Sequence, residues 1–156
     1  MNLIPPAAAL AFALALNAST ATAQEISDCD WRASADSIVE PWSENTRVFS
    51  NGKTRLALLD TIEPAAGSYF LMILSPPYDE IGGRQCRILG RDGGMGYAGI
   101  QFQDLEAAYD PARGLIFTVP AMIYLPEERF VNGTLLTITL NQSTGDIGVT
   151  QQLGNE

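Results

Sequence analysis

Histidine is absent from these 156 residues, and lysine occurs once, at Lys53. Without an imidazole, neither a Ser-His-Asp nor a Cys-His arrangement can be assembled, nor a zinc or iron site with histidine ligands. Lys53 directly follows Asn51-Gly52, a turn signal that places it in solvent, whereas a catalytic lysine needs desolvation to lower its pKa. The D-x-[DN]-x-[DN]-G calcium loop occurs nowhere. Basic residues are scarce, 9 against 18 acidic ones, for a net charge of −9. A domain so charged is repelled by phosphate backbones and anionic lipid, which argues against nucleic-acid or membrane-surface partners. Long apolar runs are missing too: none reaches the roughly 18 residues that a membrane helix needs.

Cysteine is nearly absent. Cys29 and Cys86 are the only two, and two cysteines in an exported chain predict one disulfide, for which a single intramolecular pairing exists. Closing a loop of that length stabilises a fold by about 4 kcal/mol at most on the chain-entropy model. Export is expected from the first residues, MNLIPPAAALAFALALNASTATAQ. An apolar core at residues 7–16 runs into small and polar residues ending Ala21-Thr22-Ala23, an A-x-A site that places signal cleavage after Ala23. The n-region carries no lysine or arginine, and no cysteine follows the core directly to accept a lipid. Residues 1–23 are therefore read as a signal peptide, and residues 24–156 as a single exported β domain, periplasmic or secreted and without membrane insertion after cleavage.

The chain is organised around residues 68–90, SYFLMILSPPYDEIGGRQCRILG. Residues 69–74 are apolar without interruption, the pattern of a strand buried on both faces at the centre of a sheet. Pro76-Pro77 is expected to stop it, and Gly82-Gly83 to return the chain through residues 84–89, which carry Cys86. Before it, residues 24–42 are the one plausible helix. Ser27 would cap it, Trp31, Ala35, Ile38 and Trp42 recur at helical spacing, and Pro41 would mark its end. The two tryptophans either pack this arm onto the sheet or form a platform for a carbohydrate or aromatic ligand. Asn51-Gly52 is a hairpin signal, since both positions need positive φ. Two later turns share a form: Asp110 and Asn141 each precede a glycine by four places, at Gly114 and Gly145, joining a side-chain acceptor to a left-handed closing residue. Residues 99–109 shift their apolar phase between Phe102 and Leu105, which predicts a bulge or break. Pro120 interrupts residues 115–125 and predicts an edge or bulged strand there. About eight short strands joined by turns favour an all-β antiparallel sandwich or small barrel, with a short N-terminal helical arm.

Carboxylates are what remain for chemistry. The pairs are Asp28/Asp30, Asp79/Glu80, Asp104/Glu106 and Glu127/Glu128, and glycosidase-type catalysis needs two acids about 5 to 10 Å apart across a cleft. Asp104 and Glu106 would share one strand face if the strand were regular. Gly94-Met95-Gly96-Tyr97-Ala98-Gly99 matches G-x-G-x-x-G but leads into a strand rather than a helix, which makes a flexible glycine loop the better reading than a dinucleotide site. No cofactor or metal is expected. Asn132-Gly133-Thr134 and Asn141-Gln142-Ser143 are formal glycosylation acceptors. The leading expectation is a non-enzymatic exported module that binds an unknown protein or small molecule of the envelope. Its partner-binding loop would be residues 75–84, SPPYDEIGGR, with Pro76 and Pro77 stiffening the base, Tyr78 flanked by Asp79 and Glu80, and Arg84 across the glycines. The alternatives are a small carboxylate-dependent hydrolase, or a secreted enzyme inhibitor that presents a rigid loop.

Overall fold

A computed structural model describes residues 24–154, so the signal segment lies outside the described residues. The ten strands are β1 Gln24–Asp28, β2 Thr46–Phe49, β3 Thr54–Asp60, β4 Tyr69–Tyr78, β5 Arg84–Arg91, β6 Gly99–Ile100, β7 Glu106–Asp110, β8 Gly114–Leu125, β9 Phe130–Leu140 and β10 Ile147–Leu153. They form two antiparallel sheets. The first has the order β1-β5-β4-β3-β2, and the second runs β10-β9-β8-β6 with β7 also paired to β8. The sheets stack as a sandwich. No barrel closes.

The apolar run in β4 is explained by its central place in the first sheet. Leu71 and Ile73 face the second sheet, in one core with Leu56, Leu89, Phe117, Val119, Leu136 and Ile138. Phe70 and Met72 point the other way, into a smaller cluster with Leu59 and Ile88 that is covered by Cys29, Ala33 and Ile38. Across from β4, strands β8 and β9 alternate buried and more exposed residues, as strands with one face on a core must.

The N-terminal arm corrects the expected helix. Gln24–Asp28 pairs as an edge strand with β5, in the register Ile26↔Leu89 and Asp28↔Arg87. Ser27 therefore lies in a strand, and the cap is Asp30, whose Oδ1 accepts from the backbone N–H of Arg32 at 3.0 Å to start a 3-10 turn. Pro41 does not end a helix; it precedes the short α1, Trp42–Asn45. Trp31 and Trp42 are both exposed, at 71% and 47%. The arm is anchored instead by Ala33, Ile38 and the disulfide, which joins Cys29 to Cys86 across a Cα–Cα distance of 5.4 Å. Backbone pairing to an otherwise open edge outweighs the local helical spacing, because alternate residues of β1 satisfy polar groups that β5 would leave unpaired.

Pro76 and Pro77 do not terminate β4. The strand continues to Tyr78, with its register to β5 shifting between Ser75 and Tyr78 where the prolines lack N–H groups. Pro120 is neither at an edge nor bulged: the β8–β9 register runs unbroken through Pro120↔Leu135. Its carbonyl accepts from Gln101 at 2.9 Å, on the side where β6 ends and β7 has not begun. The missing donor thus faces the break in the neighbouring strand, which is filled by a 3-10 turn at Phe102–Asp104. That break is the predicted phase shift.

The glycine loop expected at residues 91–99 divides: Asp92, Gly93 and Gly94 are exposed, whereas Gly96, Tyr97 and Gly99 are buried against neighbouring backbone. Gly96 donates to the Gly67 carbonyl at 2.7 Å, and Tyr97 exchanges backbone hydrogen bonds with Tyr69 at 2.8 and 3.1 Å. A Cβ on Gly96 would sit 2.5 Å from the Tyr69 carbonyl oxygen, so glycine serves close backbone approach here. Burial pushes the Tyr97 hydroxyl far above its ordinary pKa.

Candidate functional site

Antiparallel up-and-down connection places four hairpin turns at one end of the sandwich: residues 50–53, 79–83, 111–113 and 141–146. Each is built by its own residues. Asn51 and Gly52 take φ of 54° and 82° as expected, and Ser50 joins them at 52°, which lengthens the turn. Asp110 Oδ1 accepts from the Ala112 and Arg113 N–H groups at 2.8 and 3.1 Å, and these bonds, the Ala112 one foremost, hold its carboxyl below the usual range. Asn141 Oδ1 accepts in the same way from Ser143 and Thr144, at 3.0 and 3.3 Å. Gly114 and Gly145 close the two turns with φ of 93° and 82°.

The expected partner-binding loop lies at this end, and its residues divide into frame and surface. Asp79 belongs to the frame: its Oδ1 accepts from Ile81 N–H at 3.0 Å and Gly83 N–H at 2.6 Å. Arg84 is committed as well, since its guanidinium donates to the Gly52 carbonyl at 3.1 Å and ties this hairpin to the β2–β3 turn. Pro76 is buried, while Pro77 and Glu80 are exposed. Gln85 adds a brace between the sheets, donating to Ser75 Oγ and to the Gly145 carbonyl, both at 2.9 Å. The large apolar side chains exposed here are Tyr78, at 51%, and Ile81 at the tip, at 93%. Sequence reasoning missed Ile81. An isolated large apolar residue between Glu80 and Gly82 in a turn was the available signal.

Tyr78 lines a shallow groove of about 330 Å³ with Asn51, Lys53 and Gln142. Gln142 is fixed from both sides: it accepts from Ser50 Oγ at 3.1 Å and donates to Thr54 Oγ1 at 2.9 Å. A second groove of about 250 Å³ begins at the same Gln142 and Ser143 and extends to Tyr109. Braced hydrogen-bonding side chains between two exposed tyrosines suit reversible contact with another molecule.

The carboxylate pairs are dispersed. Asp28 is bonded to Arg87, and Asp30 is gripped by Arg32, whose hydrogen bonds lower its pKa. Glu127 and Glu128 are exposed between β8 and β9. Asp104 and Glu106 do not share a strand face, because Asp104 ends the 3-10 turn and Glu106 starts β7. They nevertheless line one open groove of about 670 Å³, with Thr118 and Pro120 on its floor. Among the described residues no cluster of three or more His, Cys, Asp or Glu is placed to hold a metal, and no helix is long and apolar enough to cross a membrane. Asn132 is buried in β9, which is unlike a glycan acceptor.

Fold and site together define an all-β, disulfide-linked two-sheet sandwich with a braced hairpin end. No known protein family matches the chain, and no curated protein or solved structure is similar to it.

Proposed function

We propose that the chain is an exported, non-enzymatic interaction module of the periplasm or secreted fraction, and that it grips a protein partner with the tip of the β4–β5 hairpin. The observation that carries this reading is Ile81, a large apolar side chain 93% exposed on a loop held by its own hydrogen bonds. A rigid loop loses little entropy on docking, and an exposed isoleucine gains by burial there. Export is supported by the Cys29–Cys86 disulfide, which belongs to an oxidising compartment. N-terminal sequencing of the exported protein is expected to read Gln24 first. A retained Met1 would refute the cleavage.

The loop is tested by capture from the native envelope fraction on immobilised wild-type protein, followed by affinity measurement on the recovered partner. Ile81→Asp and Tyr78→Ala are each expected to weaken binding at least tenfold, about 1.4 kcal/mol, with an unchanged melting temperature. Equal affinity for both variants and wild type removes the hairpin tip as the contact. One observation favours the hydrolase as a second reading, namely the groove that Asp104 and Glu106 share. Both acids are solvent-exposed, whereas a glycosidase acid is held in a desolvated setting. Glycan turnover lost in Asp104→Asn and kept in Ile81→Asp would select the hydrolase over the interaction module.

A further inference from the structure

The flank of the second sheet carries a different feature. β10 is its last strand, with β9 on one side and no strand on the other among the described residues. Edge strands are commonly guarded by charge, proline, a bulge or a cover, because their open backbone groups template pairing with another strand. β10, IGVTQQL, holds neither charge nor proline, and its register with β9 runs unbroken from Ile147↔Leu140 to Leu153↔Thr134. The other described edge strands longer than two residues do carry charge: Glu25 and Asp28 in β1, Arg47 in β2, Glu106 and Asp110 in β7.

Which backbone groups lie open follows from the ladder. The Asn141 N–H donates to the Asp146 carbonyl, and the Gly154 N–H to the Gly133 carbonyl, both at 2.9 Å. Antiparallel pairs alternate, so the even-numbered residues of β10 turn their backbone groups to β9, and Ile147, Val149, Gln151 and Leu153 turn theirs to the open side. β1 meets β10 across the sandwich, where the Gln24 amide donates to Gln151 Oε1 at 2.5 Å. The two strands belong to different sheets, and among the described residues no backbone hydrogen bond joins them.

We propose that this edge pairs antiparallel with the same edge of a second copy of the chain, about a two-fold axis at Thr150. That register sets Ile147 opposite Leu153 and Val149 opposite Gln151 of the second copy. Every residue with open backbone groups then meets another such residue, and each pair exchanges two hydrogen bonds. Leu153 faces the core side but is 52% exposed in the single chain, and here it gains Ile147 as a neighbour. Thr150 meets Thr150 on the outer face, a favourable cross-strand pair. Charge selects the same surface. Two chains of net charge −9 repel, and β8, β9 and β10 contain no charged residue, so this sheet is where two copies approach at least cost. The inference does not rest on the hairpin-tip reading, so either can fail without the other.

The test is analytical ultracentrifugation of the purified exported protein from about 10 µM to 1 mM, where a dimer is expected with a Kd below about 100 µM, the weak range of a small interface. Raising salt from about 0.05 to 0.5 M should tighten it, because screening removes the repulsion between like net charges. Thr150→Lys, at an exposed position, is expected to weaken the dimer at least tenfold although it lowers the net charge, with the melting temperature of the monomer unchanged. Thr150→Val should keep the dimer. Thr150→Cys should form an intermolecular disulfide on mild oxidation, since Cα atoms in a non-hydrogen-bonded pair lie about 4.5 Å apart. Thr137→Cys, paired with Thr150 one strand further in, should not. Ile81→Asp should dimerise as the wild type does. A monomer throughout this range overturns the proposal and leaves the edge to an extended segment of another protein. So does a dimer that survives Thr150→Lys, fails to crosslink through Thr150→Cys, dissociates in salt or is lost in Ile81→Asp, each of which places the contact elsewhere.

Discussion

Reduction of the Cys29–Cys86 bond is expected to lower the melting temperature by roughly 10 °C or more. The bond closes a loop of sequence separation 57, worth about 4 kcal/mol at most through the entropy of the unfolded chain. A second cause acts in the folded state. The arm covers Phe70, Met72 and Ile88 on the outer face of the first sheet, and untethering it leaves that cover held by β1 pairing and the contacts of Ala33 and Ile38. Calorimetry with and without reductant, repeated on Cys29→Ala/Cys86→Ala, measures the effect free of thiol chemistry. A shift under about 2 °C in both experiments would mean that strand pairing alone holds the arm, and that the entropic account does not apply here.

Phe117→Ala is expected to destabilise the fold by about 3–5 kcal/mol, among the largest costs a single truncation can produce. Phe117 is fully buried in β8, and its ring meets that of Phe49 from the other sheet at a centroid distance of 4.8 Å. The substitution removes apolar area from the middle of the sandwich and leaves a cavity between two sheets that cannot collapse independently of their hydrogen-bonded ladders. Tyr109→Ala, on a side chain 67% exposed, should stay within about 0.5 kcal/mol of wild type. Denaturant titration of the pair checks both. A Phe117 cost below about 1 kcal/mol would show that the sheets repack around the loss.

The two turns at Asp110 and Asn141 were legible because their physics is local: a side-chain acceptor bonds N–H groups two and three residues on, and a glycine closes the turn. The central strand was legible for a related reason, since apolarity on both of its faces leaves no position except the middle of a covered sheet. The hairpin at residues 75–84 was legible, but the engagement of two of its side chains was not. Asp79 and Arg84 look like exposed polar anchors in one dimension, yet they are engaged by Gly83 and by Gly52, and the second of those contacts depends on a neighbouring hairpin.

By itself, then, the sequence determined the all-β class, the antiparallel order of turn and strand, the one possible disulfide pairing and the exclusion of imidazole chemistry. These rest on periodicity, turn stereochemistry and the inventory of functional groups, all of which a chain carries before it folds. Only the tertiary structure decided that residues 24–28 form an edge strand instead of a helix, because the polar groups they satisfy belong to β5, more than fifty residues away. It alone decided where Pro120 is tolerated, since the gap that excuses its missing N–H is made by two other strands. It alone brought Asp104 and Glu106 into one groove, left Ile81 exposed at a braced tip and buried the Arg91 Nε without an acceptor among the described residues. Exposure and unpaired polarity are relations between distant segments, and no residue carries them until its neighbours are in place.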